Sequence, residues 1–226
     1  MTAKELKASI LDLAVRGKLV PQDPNDEPAS VLLGKIRAEK QRLVKAGKIK
    51  KEKNPSEIYI ASDGRPYEKF ADGSETCIED EVPFDLPPGW AWARLGNVVN
   101  IVSARRVHQN DWQTSGVPFY RAREIVRLSE SGEADNELFI SEELFAEFSK
   151  SGRPKPNDLM VTAVGTIGTC YIVKPNDRFY YKDATVLCFE NIGHISADYL
   201  LHLMHSPYMH RAREFPAQRW LVRDSA

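Results

Sequence analysis

A chain of 226 residues with 31 basic and 32 acidic side chains carries a formal net charge of −1, and at 42% hydrophobic and 28% charged it reads as folded rather than disordered. That size buries a core without disulfides or metals to staple it, and no apolar run approaches the length of about 18–20 residues that a membrane-spanning helix needs. The three cysteines, Cys77, Cys170 and Cys188, are odd in number and far apart, the usage of a reducing cytoplasm.

The N-terminus, MTAKELKASILDLAVRGK, is amphipathic and contains acids, without the basic start, apolar stretch and cleavage site of a secretion signal. Leu6, Ile10, Leu13 and Ala14 recur at the spacing of one helix face, and Gly17 stands at a left-handed stop. VPQDPNDEP breaks the chain, and a second helix is predicted from Pro28 to Ala46. Leu32, Leu33, Ile36 and Leu43 line one side of it, and Lys35, Arg37, Lys40, Arg42 and Lys45 the other. Neither helix buries its stripe alone, so a helical hairpin used as an arm is expected.

Residues 1–53 hold 13 bases and 7 acids, a net of +6, and residues 54–226 a net of −7. Near-neutrality is therefore a sum over unlike segments, which leaves a polyanion partner open beside the plainer reading of a solvated lysine-rich face. Residues 51–85 are polar and rich in turn formers, with Asn54-Pro55, Asp63-Gly64 and Asp72-Gly73. They read as a linker with short hairpins, from strand-like pieces at Glu57–Ala61 and Tyr67–Phe70.

From Leu86 the texture changes to strands interrupted by a few helices, without regular βαβ alternation. The fold class is α+β: a two-helix N-terminal arm followed by a mixed domain. Strand-like runs lie at 98–103 and 178–190, and 155–173 reads as turn, strand, glycine turn and strand. Ser141 is a helix N-cap with Leu144, Phe145 and Phe148 facing inward. SADYLLHLMHS closes with a helix, and Cys170 and Cys188 fall in apolar strand text as core cysteines.

GTIG at 165–168 is neither a Walker loop nor a dinucleotide fingerprint. It is a tight turn, or a place where backbone amides with Thr162, Thr166 and Thr169 approach a ligand. His202, His205 and His210 tempt a metal assignment, but Pro207 interrupts them and no metal site is expected. Nucleophile elbow, HExxH and paired CxxC are absent from the sequence, so the chain reads as a binder more than an enzyme. The better candidates are loops that mix bases, amides and aromatics. SARRVHQNDW offers Arg105, Arg106, His108, Gln109 and Asn110, and FYRARE offers Tyr120, Arg121 and Arg123. Arg and Lys suit guanine edges or phosphates and Asn and Gln suit adenine. An ion pair of Arg121 or Arg123 near Glu124 is an equal alternative. Lys150, Arg153, Lys155 and Lys182 could position phosphates around these loops.

Four motifs in order resemble the specificity subunit of type I restriction–modification enzymes: LDLAVRGKLVPQDPNDEPASVLLGKIRAEK, the LPPGW segment running to Leu95-Gly96, GVPFYRAREI at 116–125, and PNDLMVTAVGTIG at 156–168. The resemblance implies a non-catalytic subunit that recognises double-stranded DNA by sequence and brings methyltransferase and endonuclease subunits to the site. It divides the chain into a helical spacer and docking arm (1–50), a linker (51–85) and a DNA target-recognition domain (86–226). Leu32, Leu33, Ile36 and Leu43 would then dock the methyltransferase (modification) subunits, with a restriction subunit as a further partner. S-adenosylmethionine, ATP and Mg would belong to those partners, leaving this chain without a cofactor. The family's complete subunit carries two recognition domains and this chain has room for one, so a truncated half subunit is expected, in the cytoplasm, with a homodimer of half subunits one option and the oligomeric state left open. Rival readings are an adaptor that docks a methyltransferase without productive DNA binding, and a metal enzyme built on the histidines.

Overall fold

The computed structural model describes residues 1–52, 54–193 and 195–212. In chain order its helices are α1 (Ala3–Val15), α2 (Ala29–Lys45), α3 (Leu95–Val98), α4 (Ala122–Ser131), α5 (Glu142–Ser149), α6 (Ala197–His205) and α7 (Pro207–Ala212). Its strands are β1 (Ser56–Ile60), β2 (Pro66–Phe70), β3 (Glu75–Cys77), β4 (Asn100–Ser103) and β5 (Val117–Tyr120), then β6 (Phe139–Ile140), β7 (Leu159–Thr162), β8 (Cys170–Ile172), β9 (Tyr180–Tyr181) and β10 (Val186–Glu190). The architecture is α+β, as the element pattern predicts. No described helix is long and apolar enough to cross a membrane. Contacts gather into two compact units: Met1–Asn100 with 192–193 and 206–212, and Ile101–Asn191 with Ile195–His205.

In the first unit the Thr2 hydroxyl accepts from the Glu5 amide while Glu5 accepts from the Thr2 amide, a reciprocal cap that starts α1. The expected helical hairpin does not form as such: α1 packs chiefly on α7, and α2 chiefly on α3. The buried side of α1 also differs from expectation. Leu11 is buried with Ala8, Ala14 and Val15 half-buried, while Leu6, Ile10 and Leu13 are 46%, 43% and 40% exposed. Two apolar stripes compete on this helix at the same periodicity, and the position of its packing partners selects between them.

Gly17 closes α1 at φ +65°, where a Cβ would stand 2.6 Å from Pro87 Cγ and 3.2 Å from the Trp90 ring. Trp90 Nε1 donates to Gln22 Oε1 at 2.7 Å, Gln22 Nε2 donates to the Gly17 carbonyl at 2.8 Å, and the Ala29 amide donates to the Gly89 carbonyl at 2.7 Å. Two of the motifs quoted above are therefore one packed assembly. Phe84, Trp92 and Tyr208 of α7 form an aromatic trio with centroids 5.1–6.0 Å apart, and the Arg16 guanidinium lies 4.8 Å over Phe84.

The segment expected as a linker forms a three-stranded antiparallel meander, β1-β2-β3, turning at Asp63-Gly64 and Asp72-Gly73. Glu68 of β2 is buried and receives Arg94 Nη2 at 2.5 Å and the Ser56 hydroxyl at 2.5 Å. Burial alone would raise its pKa, but the hydrogen bonds from Arg94 and Ser56 outweigh it and hold the carboxyl below the ordinary range.

The second unit holds two sheets. One has the order β4-β10-β7-β8 and the other β6-β5-β9, in which β5 and β9 run parallel. Ile125, Met160, Tyr171, Phe179, Tyr181, Val186 and Cys188 make one core cluster, and Val117, Phe119, Ile140, Phe145, Phe148 and Tyr180 another. Ser141 caps α5 as predicted, its hydroxyl accepting from the Leu144 amide at 3.1 Å, and Phe145 and Phe148 point inward. Cys170 and Cys188 are buried core cysteines, also as predicted.

Candidate functional site

The proposed DNA-contact residues lie in the second unit, and the structure sorts most of them into two groups. The first surrounds an open pocket of about 430 Å³ lined by Arg106, His108, Gln109, Lys182, Asp183 and Thr185, with Val107 and Ala184. The 104–109 loop is held from below. Val107 is buried, and the Arg105 amide donates to the Tyr180 hydroxyl at 2.9 Å. At the loop's far end the His108 amide donates to Asp111 Oδ2 at 3.2 Å, which sets the turn carrying Gln109 and Asn110. The opposite wall is the β9–β10 connection. Its Lys182 amide donates to the Tyr120 carbonyl at 2.8 Å, extending the parallel β5–β9 pairing, and Ala184 takes φ +57° with its amide on the Ser103 hydroxyl.

Neither Arg106 nor Lys182 has an ion-pair partner among the described residues, although Asp183 lines the same pocket. Two cations, an imidazole and a primary amide thus converge on one rim. Asn110 is exposed on the adjoining turn, and Lys155 is exposed where its own amide donates to Asp158 Oδ2 at 2.7 Å.

The second group is committed internally. Arg121 Nη2 donates to Glu124 Oε1 at 2.9 Å, and Arg123 Nε donates to the same oxygen at 2.9 Å. Glu124 is fully buried, and Arg123 also reaches Glu137 at 2.8 Å. The ion-pair alternative is therefore the arrangement found for both arginines. Burial pushes the Glu124 pKa up, and the hydrogen bonds from Arg121 and Arg123 reverse this, leaving it depressed. Tyr120 stacks on Phe179 at 4.6 Å and belongs to the core, where burial raises its pKa. Arg105 is half-engaged: its guanidinium lies 4.2 Å over Phe148 and 3.3 Å from Glu147.

Thr162 is fully buried at the end of β7 and has no surface for a ligand. Its hydroxyl donates to the Thr166 carbonyl and accepts from the Thr169 amide at 3.0 Å, cross-bracing the GTIG turn. Thr166 is exposed at the tip, flanked by Val164 and Ile167 at 54% and 58% exposure. In the first unit, Ile36 is 1% exposed, so it is spent on the chain's own packing and offers no docking surface. A Cβ on Gly193 would stand 2.4 Å from its Cγ1, which shows how closely the backbone covers it. Leu32, Leu33 and Leu43 are half-buried.

Asp183 and Thr185 of the pocket, and Val164 and Ile167 of the tip, were not legible as candidates. Asp183 and Thr185 belong to a turn whose meeting with the 104–109 loop depends on the long-range β5–β9 pairing. For the tip a signal existed: large apolar residues inside a glycine turn.

No family profile matches the chain. The specificity subunits of the type I restriction enzymes EcoEI and EcoAI, both from Escherichia coli, are each 47% identical to it over 115 residues, 51% of this chain and 16% of each relative. The Escherichia coli EcoBI specificity subunit is 26% identical over an alignment covering 100% of this chain and 45% of that protein. The chain thus matches less than half the length of each of these relatives. Over about half of its own length, at 47% identity, it is similar to the specificity subunits of type I restriction enzymes.

Proposed function

We propose that this chain recognises double-stranded DNA by sequence, as a non-catalytic subunit that directs partner methyltransferase and restriction subunits to a site. The observation that carries the reading is the pocket rim of Arg106, His108, Gln109 and Lys182, where donors stand uncommitted to acids. An arginine or lysine there can take guanine O6 and N7 or a phosphate, and a glutamine can pair with adenine N6 and N7. Lys150, Arg153 and Lys155, exposed in the same unit away from the rim, supply further cations for phosphate. Kinship with specificity subunits supports the same reading. S-adenosylmethionine, ATP and Mg are assigned to the partner subunits, and the protein to the cytoplasm. Leu32, Leu33 and Leu43 remain candidates for partner docking.

The test is enrichment of a random-sequence duplex pool on the full chain, followed by affinity measurement on the recovered DNA. Arg106→Ala and Lys182→Ala should each weaken binding by roughly 5- to 100-fold, the range for one base or phosphate contact. Arg65→Ala, in the other unit, should change nothing. Recovery of no preferred sequence, with binding indifferent to salt, refutes the reading.

A second reading, an adaptor that docks a protein without using DNA, is favoured by the exposed Leu6, Ile10 and Leu13 of α1. Deleting residues 1–50 separates the two. An adaptor loses its methyltransferase partner and shows no DNA contact at any stage, whereas a recognition subunit retains DNA contact.

A further inference from the structure

We propose that the tip of the β7–β8 hairpin reads thymine: Val164 and Ile167 make an apolar contact with the C5-methyl group of a thymine at the target. The inference rests on the DNA-recognition reading and adds specificity-determining residues to it.

Every residue of β7, one strand of this stem, is in the core, and β8 has Cys170 and Tyr171 buried with Ile172 half-buried. The two large apolar side chains at its tip are more than half exposed. Single exposed aliphatics need no explanation. Two that flank one rigid turn, with an exposed threonine between them, form a small apolar knob.

The rigidity is built from the buried end. Thr162 Oγ1 bridges the Thr166 carbonyl and the Thr169 amide, the Gly168 amide donates to the Thr162 carbonyl at 2.7 Å, and the Ile167 amide donates to the Gly165 carbonyl at 2.9 Å. Gly165 and Gly168 take φ +76° and +80°, the conformation that lets so short a tip close. Val and Ile are themselves stiff at χ1. A preorganised apolar tip loses little freedom on contact, which is what reading by shape requires.

The hairpin is joined to the pocket wall. The Ala163 amide, next to Val164, donates to the Thr185 carbonyl at 2.9 Å, and Thr185 lines the pocket with Arg106 and Lys182. Residues 159–173 contain no charged side chain, so nothing on the hairpin repels phosphate. Among the groups that base edges present in the major groove, the thymine methyl is the apolar one. Short branched side chains suit that methyl, and the neighbouring cations hold the duplex against the tip.

The experiment uses the duplex recovered from the random pool and the same duplex with deoxyuridine in place of thymidine, which removes only the methyl groups. Wild-type protein should bind the deoxyuridine duplex on the order of fourfold more weakly per methyl contacted, from the transfer value of one methyl group. Ile167→Ser and Val164→Ser should weaken binding to thymidine DNA and shrink the thymidine/deoxyuridine difference. Arg106→Ala should weaken binding but keep that difference. Thermal melts of the serine variants should match wild type, because both positions are exposed. Equal thymidine/deoxyuridine ratios in wild type and the serine variants overturn the inference, as does a recovered target without thymine. Loss of a co-eluting methyltransferase with DNA affinity unchanged makes the tip a protein contact and also overturns it. If wild type recovers no sequence at all, the recognition reading itself has failed, an outcome distinct from these.

Discussion

Glu124 shows what a single buried carboxylate does for the second unit. It has no solvent exposure, and both Arg121 and Arg123 donate to it, while the Arg121 amide reaches it at 2.8 Å. Replacing it with alanine strands two guanidinium groups and should cost about 1.5–3 kcal/mol, the range for hydrogen bonds to charged groups, in denaturant unfolding. Its folded pKa is depressed, so its contribution is complete above the unfolded value of about 4.3 and is lost as pH falls below that. Asp158 acts in the opposite direction, because burial raises its pKa and favours the folded state as pH falls. Comparing Glu124→Gln with wild type therefore isolates one carboxylate: the wild-type acid limb should be the steeper, and parallel curves would contradict the assignment. Residue identity alone could not assign Arg121 and Arg123. As text they are equally good base readers and ion-pair formers, and the decisive fact is the burial of Glu124. Arg106, Gln109 and Lys182 were legible as chemistry, but their meeting around one pocket was not.

At the scale of elements, local signals were readable and long-range ones were not. The Ser141 cap, the Gly17 stop, the glycine turn at 165–168 and both hairpins of the meander are set by residues within a few positions of one another. The pairing of β5 with β9 joins residues about sixty positions apart, and nothing in either strand names the other. In α1 two apolar stripes share one period, so the periodicity could not say which faces inward. The turn after α1 gives a direct test. Gly17→Ala must hold an alanine at φ +65° against Pro87, so it should lose about 1–2 kcal/mol from the left-handed conformation alone, and more from the contact. Ser141→Ala should lose about 1 kcal/mol with the α5 cap. Urea unfolding measures both, and a Gly17→Ala protein as stable as wild type would contradict the packing described.

For the whole molecule, a net charge of −1 means that the proposed attraction to DNA has to come from local cations. The bases that line the pocket are two, Arg106 and Lys182, with Lys150, Arg153 and Lys155 exposed elsewhere in the second unit. Two to four phosphate contacts would give a slope of log affinity against log salt of about −2 to −4. A slope near −10 would place most of the contacts elsewhere. The connectivity of the first unit also bears on how the protein is made. Helix α1 rests on α7, which leaves the ribosome only after the whole second unit has been synthesised. At translation speeds of about 5–20 residues per second, α1 waits roughly 10–40 s for that partner. Throughout that interval α1 lacks its α7 partner while the second unit can already be folding. The expected outcome is chaperone binding to ribosome-bound chains that ends once Pro207 to Ala212 have emerged, and nascent chains arrested before and after that point check it.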